Sequence, residues 1–277
     1  HWVGNGFRVH GFFPDRKGAV DYKRLSPFFL LDYTSLYNFP PSDIPRGVGS
    51  HPHRGIETVT VAFKGKVAHE DSVGNKGVIG ENDVQWMTAA GGILHIEFLE
   101  TDFNNRGGNM QMTQIWVNLP AKYKMSQPKY QDLLFQNASK FISDNQKVHV
   151  NIIAGEYKGI AGKADTFSPI NIYDISLKEG SKIDFNIDEN HNLGFLIIDG
   201  NIKINDNASA DKDKFVIFEN EGNEVEVYAN SDSKILLLSG EPIDEPIVPY
   251  GPFVMNTREE IYAAIEDFNS GKFGYLE

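Results

Sequence analysis

Short apolar runs, most of them alternating with polar positions, recur along the chain and are separated by glycine, proline, asparagine and aspartate. Phe7–Phe13 alternates and predicts a strand ended by Pro14, and Ser26–Leu31 predicts a second, more buried strand. Residues 38–49 hold Pro40, Pro41, Pro45, Gly47 and Gly49 and predict a loop that delivers the chain to His51. Strands are then expected at Glu57–Phe63, Lys66–His69, Val84–Met87, Ile93–Phe98 and Met110–Leu119. Turn signals at Lys64-Gly65, Gly74-Asn75, Glu81–Asp83 and Ala89–Gly92 separate them. Short strands at this spacing, without helices between them, predict an all-β sandwich or barrel.

The second half echoes the first. Phe195–Ile204 repeats the strand, glycine turn and strand of Val61–His69, and Gly65 aligns with Gly200 at an offset of 135. A weak repeat of this length implies two similar β-domains in tandem. Between them, residues 123–143 are polar and irregular, with short helical turns expected at Tyr130–Phe135. After a strand at Lys234–Ser239, residues 241–252 carry four prolines and read as extended. Thr257 and Glu260 then form a capping box, Ile261, Ile265 and Phe268 follow at helical spacing, and Gly271 closes the run. This predicts a C-terminal helix docked on a barrel. The expected domains are 1–135, with 250–277 packing back on it, and 140–249.

The totals narrow the function. The formal net charge is −12, which argues against direct nucleic-acid binding and against docking on anionic membranes. There are no cysteines, which excludes disulfides, thiolate metal sites and cysteine nucleophiles. No apolar run reaches transmembrane length and no signal peptide is visible in a sequence that starts at a histidine; with the absent cysteines, a cytoplasmic location is the expectation, and a monomer is expected separately.

The candidate chemistry lies in His51-Pro52-His53-Arg54-Gly55 and Gly92-Ile93-Leu94-His95-Ile96-Glu97. In a strand, alternate side chains share a face, so His51 and His53 project together, as do His95 and Glu97. Where the two strands meet, three imidazoles and a carboxylate converge, a set suited to a first-row divalent ion with open positions, iron(II) first. Glu57 shares the parity of His51 but lies roughly 13 Å along the strand from His53. It is therefore expected beside the site, paired with Arg54. His69 and Asp71 are candidates for supporting the site through a hydrogen bond or for a purely structural role. Under the 135-residue offset the ligand positions fall on or near Asn186, Asp188, Asn230 and Asp232, so the second domain is expected to lack a ligand set, and His191 reads as a surface residue.

The segment His51–Glu97 resembles the signature region of the pirin family within the cupin superfamily. LSPFFLLD (Leu25–Asp32), QIWVNLP (Gln114–Pro120) and GPFVMNTREEI (Gly251–Ile261) agree. The resemblance implies a bicupin: two antiparallel, jelly-roll-like β-barrels face to face, with the C-terminal segment on the first. It implies one metal, held by His51, His53, His95 and Glu97; iron(II) is expected, with nickel, manganese, cobalt, copper or zinc as alternatives. It also implies a quercetin 2,3-dioxygenase-like activity, in which a flavonol binds through its 3-hydroxyl, Glu97 accepts the proton, and O₂ opens the ring. Phe28, Phe29, Met87, Ile93 and Trp116 are candidates for the apolar mouth. The competing reading is a redox-sensing regulator that binds a protein partner. A sugar-binding or isomerase cupin is a third, weaker for want of a second carboxylate cluster.

Overall fold

The structure is a computed structural model that describes residues 1–14 and 22–276. The chain divides into two compact units, one of His1–Tyr22, Phe28–Phe135 and Ile243–Glu277, the other of Lys23–Pro27 and Gln136–Pro242.

The first unit opens with β1 (Trp2–Val3), β2 (Phe7–Arg8), β3 (His10–Phe13), β4 (Phe28–Phe39), β5 (Gly47–His53) and β6 (Ile56–Lys64). It continues with β7 (Val67–Asp71), β8 (Lys76–Ile79), β9 (Val84–Thr88), β10 (Ile93–Leu99), α1 (Thr101–Arg106), β11 (Gly108–Asn118) and β12 (Lys129–Leu133). A four-stranded sheet runs β5-β10-β7-β8, and a six-stranded sheet runs β12-β9-β6-β11-β4-β3. Every pairing within them is antiparallel. The two sheets share no strand, so the unit is a jelly roll and not a closed barrel.

Several local expectations change. The loop expected over residues 38–49 shortens, because β4 runs to Phe39 and β5 starts at Gly47, and β8 forms where only a turn was expected. Tyr130–Phe135 is not helical: Lys129–Leu133 pairs with Thr88–Val84 and becomes the outer strand of the large sheet. The edge of β9 offers unpaired backbone groups, and pairing them outweighs a weak helical preference. The strand expected at Ser26–Leu31 begins at Phe28 and runs to Phe39, because β11 pairs along that whole length. Helix α1 was not anticipated, since six residues are too few for a helical period to show. Glu100 caps it by accepting from the backbone N–H groups of Asp102 and Phe103.

The second unit contains β13 (Ser139–Ile142), β14 (Val148–Ala154), β15 (Glu156–Tyr157), β16 (Ile160–Ala161), β17 (Ile170–Leu177) and β18 (Lys182–Asn186). After these come β19 (Asn192–Asp199), β20 (Asn201–Ile204), β21 (Ala208–Asp211), β22 (Phe215–Ile217), β23 (Glu224–Ala229) and β24 (Ser233–Gly240). Six- and four-stranded sheets, β13-β14-β17-β24-β19-β22 and β18-β23-β20-β21, again form a jelly roll. Its core is built from Val150, Ile175, Phe185, Phe195, Ile197, Ile235, Leu237 and their neighbours. His191 is half-buried at the surface, with Nδ1 3.1 Å from Ser239 Oγ.

The C-terminal segment, β25 (Val248–Tyr250), β26 (Phe253–Met255) and α2 (Arg258–Asn269), belongs to the first unit. The capping box on α2 is formed, with Thr257 Oγ1 accepting from Glu260 and the Glu260 carboxylate accepting from Thr257. Ile261 and Ala264 bury against Phe253, Met255 and Phe273, while Phe268 is 39% exposed with its ring 6.0 Å from that of Phe273. Lys124 ties this segment to the start of β6. Its buried ammonium donates to Gly55 O at 2.7 Å, Val254 O at 2.7 Å and Asn118 Oδ1 at 2.6 Å. Burial pushes its pKa down to about 7, against the opposing pull of Glu245 and Glu260. No helix among the described residues is long and apolar enough to cross a membrane.

Candidate metal centre

β10 alternates strictly: Ile93, His95, Glu97 and Leu99 are buried, and the residues between them are half-buried. This places His95 and Glu97 on the inner face of the small sheet. β5 pairs with it so that His51 lies opposite His95 and His53 opposite Ile93. Beyond that pair the register shifts, and Glu97 faces Val48. The extra residue is a bulge at Gly49–Ser50, and such bulges re-aim neighbouring side chains. Here it lets His51 Nδ1 reach Gly49 O at 2.8 Å.

The imidazoles of His51, His53 and His95 converge, with ring centroids 4.3 to 5.0 Å apart. One ring nitrogen from each lies within 4.8 Å of the others. Glu97 meets the same criterion with His95 and His69, so His95 belongs to both groups. Of the four residues expected at a metal, three imidazoles form one group, and the carboxylate joins through His95.

The hydrogen bonds leave lone pairs in the right places. His51 Nδ1 is turned to Gly49 O, and His53 Nδ1 to Pro252 O at 3.3 Å. A carbonyl only accepts, so each Nδ1 carries the proton and each Nε2 is bare. His95 Nε2 is fully buried and has no hydrogen-bond partner. A bare, buried imidazole nitrogen is costly unless something coordinates it. The donor set thus fits a divalent ion with nitrogen and oxygen ligands.

Electrostatics agree. Burial, followed by the neighbouring His51, lowers the His53 pKa to about 3. Burial and the adjacent histidines hold His95 well below the usual imidazole range. Both are neutral at pH 7, the form that ligates a cation.

Glu97 is held from the large sheet. Gln85 Nε2 donates to Oε1 at 3.1 Å, Gln114 Nε2 to Oε2 at 2.8 Å, and Thr60 Oγ1 lies 3.2 Å from Oε1. Nothing in the ligand spacing pointed to Gln85 or Gln114. The available signal was an amide side chain among the apolar positions of each strand, Gln85 between Val84 and Trp86 and Gln114 before Ile115 and Trp116.

Glu57 lies on the opposite face of β6 from Thr60 and accepts from Thr88 Oγ1 at 2.7 Å. Gly55, at φ +82°, turns the chain between His53 and β6, so parity counted from His51 does not carry through. A Cβ there would sit 2.1 Å from Val254 O. Arg54, expected to pair with Glu57, reaches Asp267 of α2 at 2.9 Å and Gly91 O at 2.7 Å. Its guanidinium also lies 4.7 Å from the centre of the Phe273 ring.

Of the expected mouth residues, Phe28, Met87 and Ile93 are sealed in the core. Trp116 is half-buried and stands edge-on to His53, with centroids 4.9 Å apart at 81°. Phe29 stacks on Trp116 and Tyr22 stacks on Phe29.

Comparison with known proteins gives a consistent result. Residues 7–117 match the family model described as pirin, and residues 172–274 match the pirin C-terminal cupin domain. A Pseudomonas aeruginosa protein named "Putative quercetin 2,3-dioxygenase" is 43% identical over 99% of this chain and 94% of its own length. Pirin-like protein 2 of Arabidopsis thaliana is 40% identical over 92% of this chain and 78% of its own length. The crystal structure of quercetin 2,3-dioxygenase from Acinetobacter baumannii superposes with a TM-score of 0.93 at 46% identity, covering 100% of this chain and 95% of that one.

Proposed function

The chain belongs to the pirin family, and from that premise we propose that it is a metal-dependent dioxygenase that opens the ring of a flavonol such as quercetin with O₂. His51, His53, His95 and Glu97 are the proposed ligands, iron(II) the first candidate ion, and nickel, manganese and cobalt the alternatives. The observation that carries the reading is the buried Nε2 of His95, left without a partner between two imidazoles whose own Nε2 atoms are bare.

Bound there, a divalent cation supplies a Lewis acid with open positions and lowers the pKa of a hydroxyl that joins it. The protein's residues divide the rest of the work. The three histidines bind as neutral donors. Glu97 is the proposed base for the flavonol 3-hydroxyl. Its Oε2 carries the Gln114 amide, which leaves a lone pair to take the proton. Gln85 and Gln114 fix the carboxylate in place while it does so. Trp116, beside His53, offers a half-buried aromatic surface to a flat substrate.

The test is aerobic incubation with quercetin after reconstitution with iron(II), nickel, manganese or cobalt. Loss of flavonol absorbance with at least one ion, abolished in His53→Ala, supports the reading. No loss with any of the four removes it.

A further inference from the structure

We propose that His69 and Asp71 are positioning residues that select the tautomer of the neutral His95 ring through a buried hydrogen-bond relay. The inference rests on the metal reading above and adds residues to it. His69 Nε2 lies 3.3 Å from Asp71 Oδ2, and His69 Nδ1 lies 3.4 Å from His95 Nδ1. All three residues are 4% exposed or less. Both contacts are at the long end of hydrogen-bond range, yet the sheet itself sets them. On β7, Asp71 pairs with His95 and His69 pairs with Glu97.

The proton count follows from which groups can only accept. The Asp71 carboxylate is committed as an acceptor: Oδ1 takes the N–H groups of Val73 at 3.1 Å and Asn75 at 2.9 Å, and Oδ2 takes Asn75 Nδ2 at 2.8 Å. His69 Nε2 therefore carries a proton toward Asp71. A neutral His69 then has a bare Nδ1, which accepts from His95 Nδ1–H. That leaves His95 Nε2 bare, the same atom that has no partner in the site. Reversing the chain anywhere would put a proton on the nitrogen that has to ligate. Tyr130 stacks on the His69 ring at 4.8 Å and 20°, holding its plane. His51 and His53 achieve the same result with backbone carbonyls; His95, deeper in the sheet, uses side chains.

The comparison is between variants that keep the shape and variants that keep the bonds. His69→Phe preserves the stack on Tyr130 and removes both hydrogen bonds. His69→Gln supplies a carbonyl to accept from His95 and an amide to donate to Asp71. Asp71→Asn presents a donor to His69 Nε2 and inverts the relay.

Nickel(II) affinity, measured by competition with a chelator, is expected to fall about 10–100-fold in His69→Phe and in Asp71→Asn, and to stay within about threefold in His69→Gln. Two-bond ¹H–¹⁵N imidazole spectra of the ion-free protein at pH 8 are expected to show His95 protonated on Nδ1, moving to Nε2 in Asp71→Asn. Wild-type affinity in His69→Phe, a His69→Gln as weak as His69→Phe, or His95 protonated on Nε2 in the wild type would each overturn the relay while leaving the ligand set intact. A wild-type protein that binds none of iron(II), nickel, manganese and cobalt would sink the metal reading and the relay together. Should His69→Phe fail to fold, the His95 spectrum and the contrast between Asp71→Asn and His69→Gln decide the question.

Discussion

Between its two sheets the first unit holds His51, His53, His69, Gln85, His95, Glu97 and Gln114, whereas the second fills the same position with Ile175, Phe185, Phe195, Ile197, Ile235 and Leu237. In the second unit Phe185 and Phe195 meet across the sheets at 6.0 Å, and Phe195 meets Phe218 at 4.6 Å. Each such side chain contributes about 1.5–3 kcal/mol by leaving water. The first unit forgoes that gain in its centre and has to satisfy each polar atom it buries. One jelly roll thus maximises its own cohesion, and its counterpart keeps unmet coordination capacity at the core.

The comparison breaks most visibly at the packed centre. Phe195→Ala is expected to cost about 3–5 kcal/mol of stability in urea unfolding while leaving nickel affinity unchanged. The first unit is expected to recover stability from an ion. At about 1,000 times Kd, nickel should add about 4 kcal/mol to the wild type, and little to His95→Ala. An equal gain in the variant would mean that the ion binds elsewhere.

Acidity separates the two interiors next. His53 and His95 have folded pKa values below the ordinary 6.5, so the unfolded chain binds more protons than the native one in the interval between. Their contribution is complete above pH 6.5 and is lost as the pH falls toward the His53 value of about 3. In ion-free protein each should remove at most about 1.4 kcal/mol per pH unit over that window. Urea midpoints at pH 7, 6 and 5 check this, and replacing His53 by Phe should flatten the slope. The smallest effect lies at the rim: Thr257→Ala removes the cap of α2 and should cost about 1 kcal/mol in thermal unfolding, with nickel affinity retained.

Much of this was legible in the residues because it depends on local rules. Between Ile56 and Asn118 every strand except β8, which lies where a turn was expected, follows alternation and turn chemistry, and the α2 cap follows from Thr257 and Glu260. The convergence of His51, His53 and His95 needs only side-chain parity and one strand pairing. What stayed hidden depends on tertiary partners. Lys129–Leu133 is a strand because β9 needed a neighbour, and Arg54 found Asp267, 213 residues away. Glu57 misled because parity was carried across Gly55, where a left-handed backbone resets it. Gln85 and Gln114 look like ordinary polar positions until the opposite sheet brings Glu97 between them.

The carbonyl that orients His53 comes from Pro252, 199 positions further along the chain. A growing polypeptide emerging from the ribosome would have its first histidines made long before that carbonyl exists. This orientation of His53 therefore belongs to the finished molecule, after synthesis has passed the second jelly roll and reached Pro252. Any truncation that spares both jelly rolls yet removes this return would leave His53 Nδ1 without the carbonyl that accepts from it.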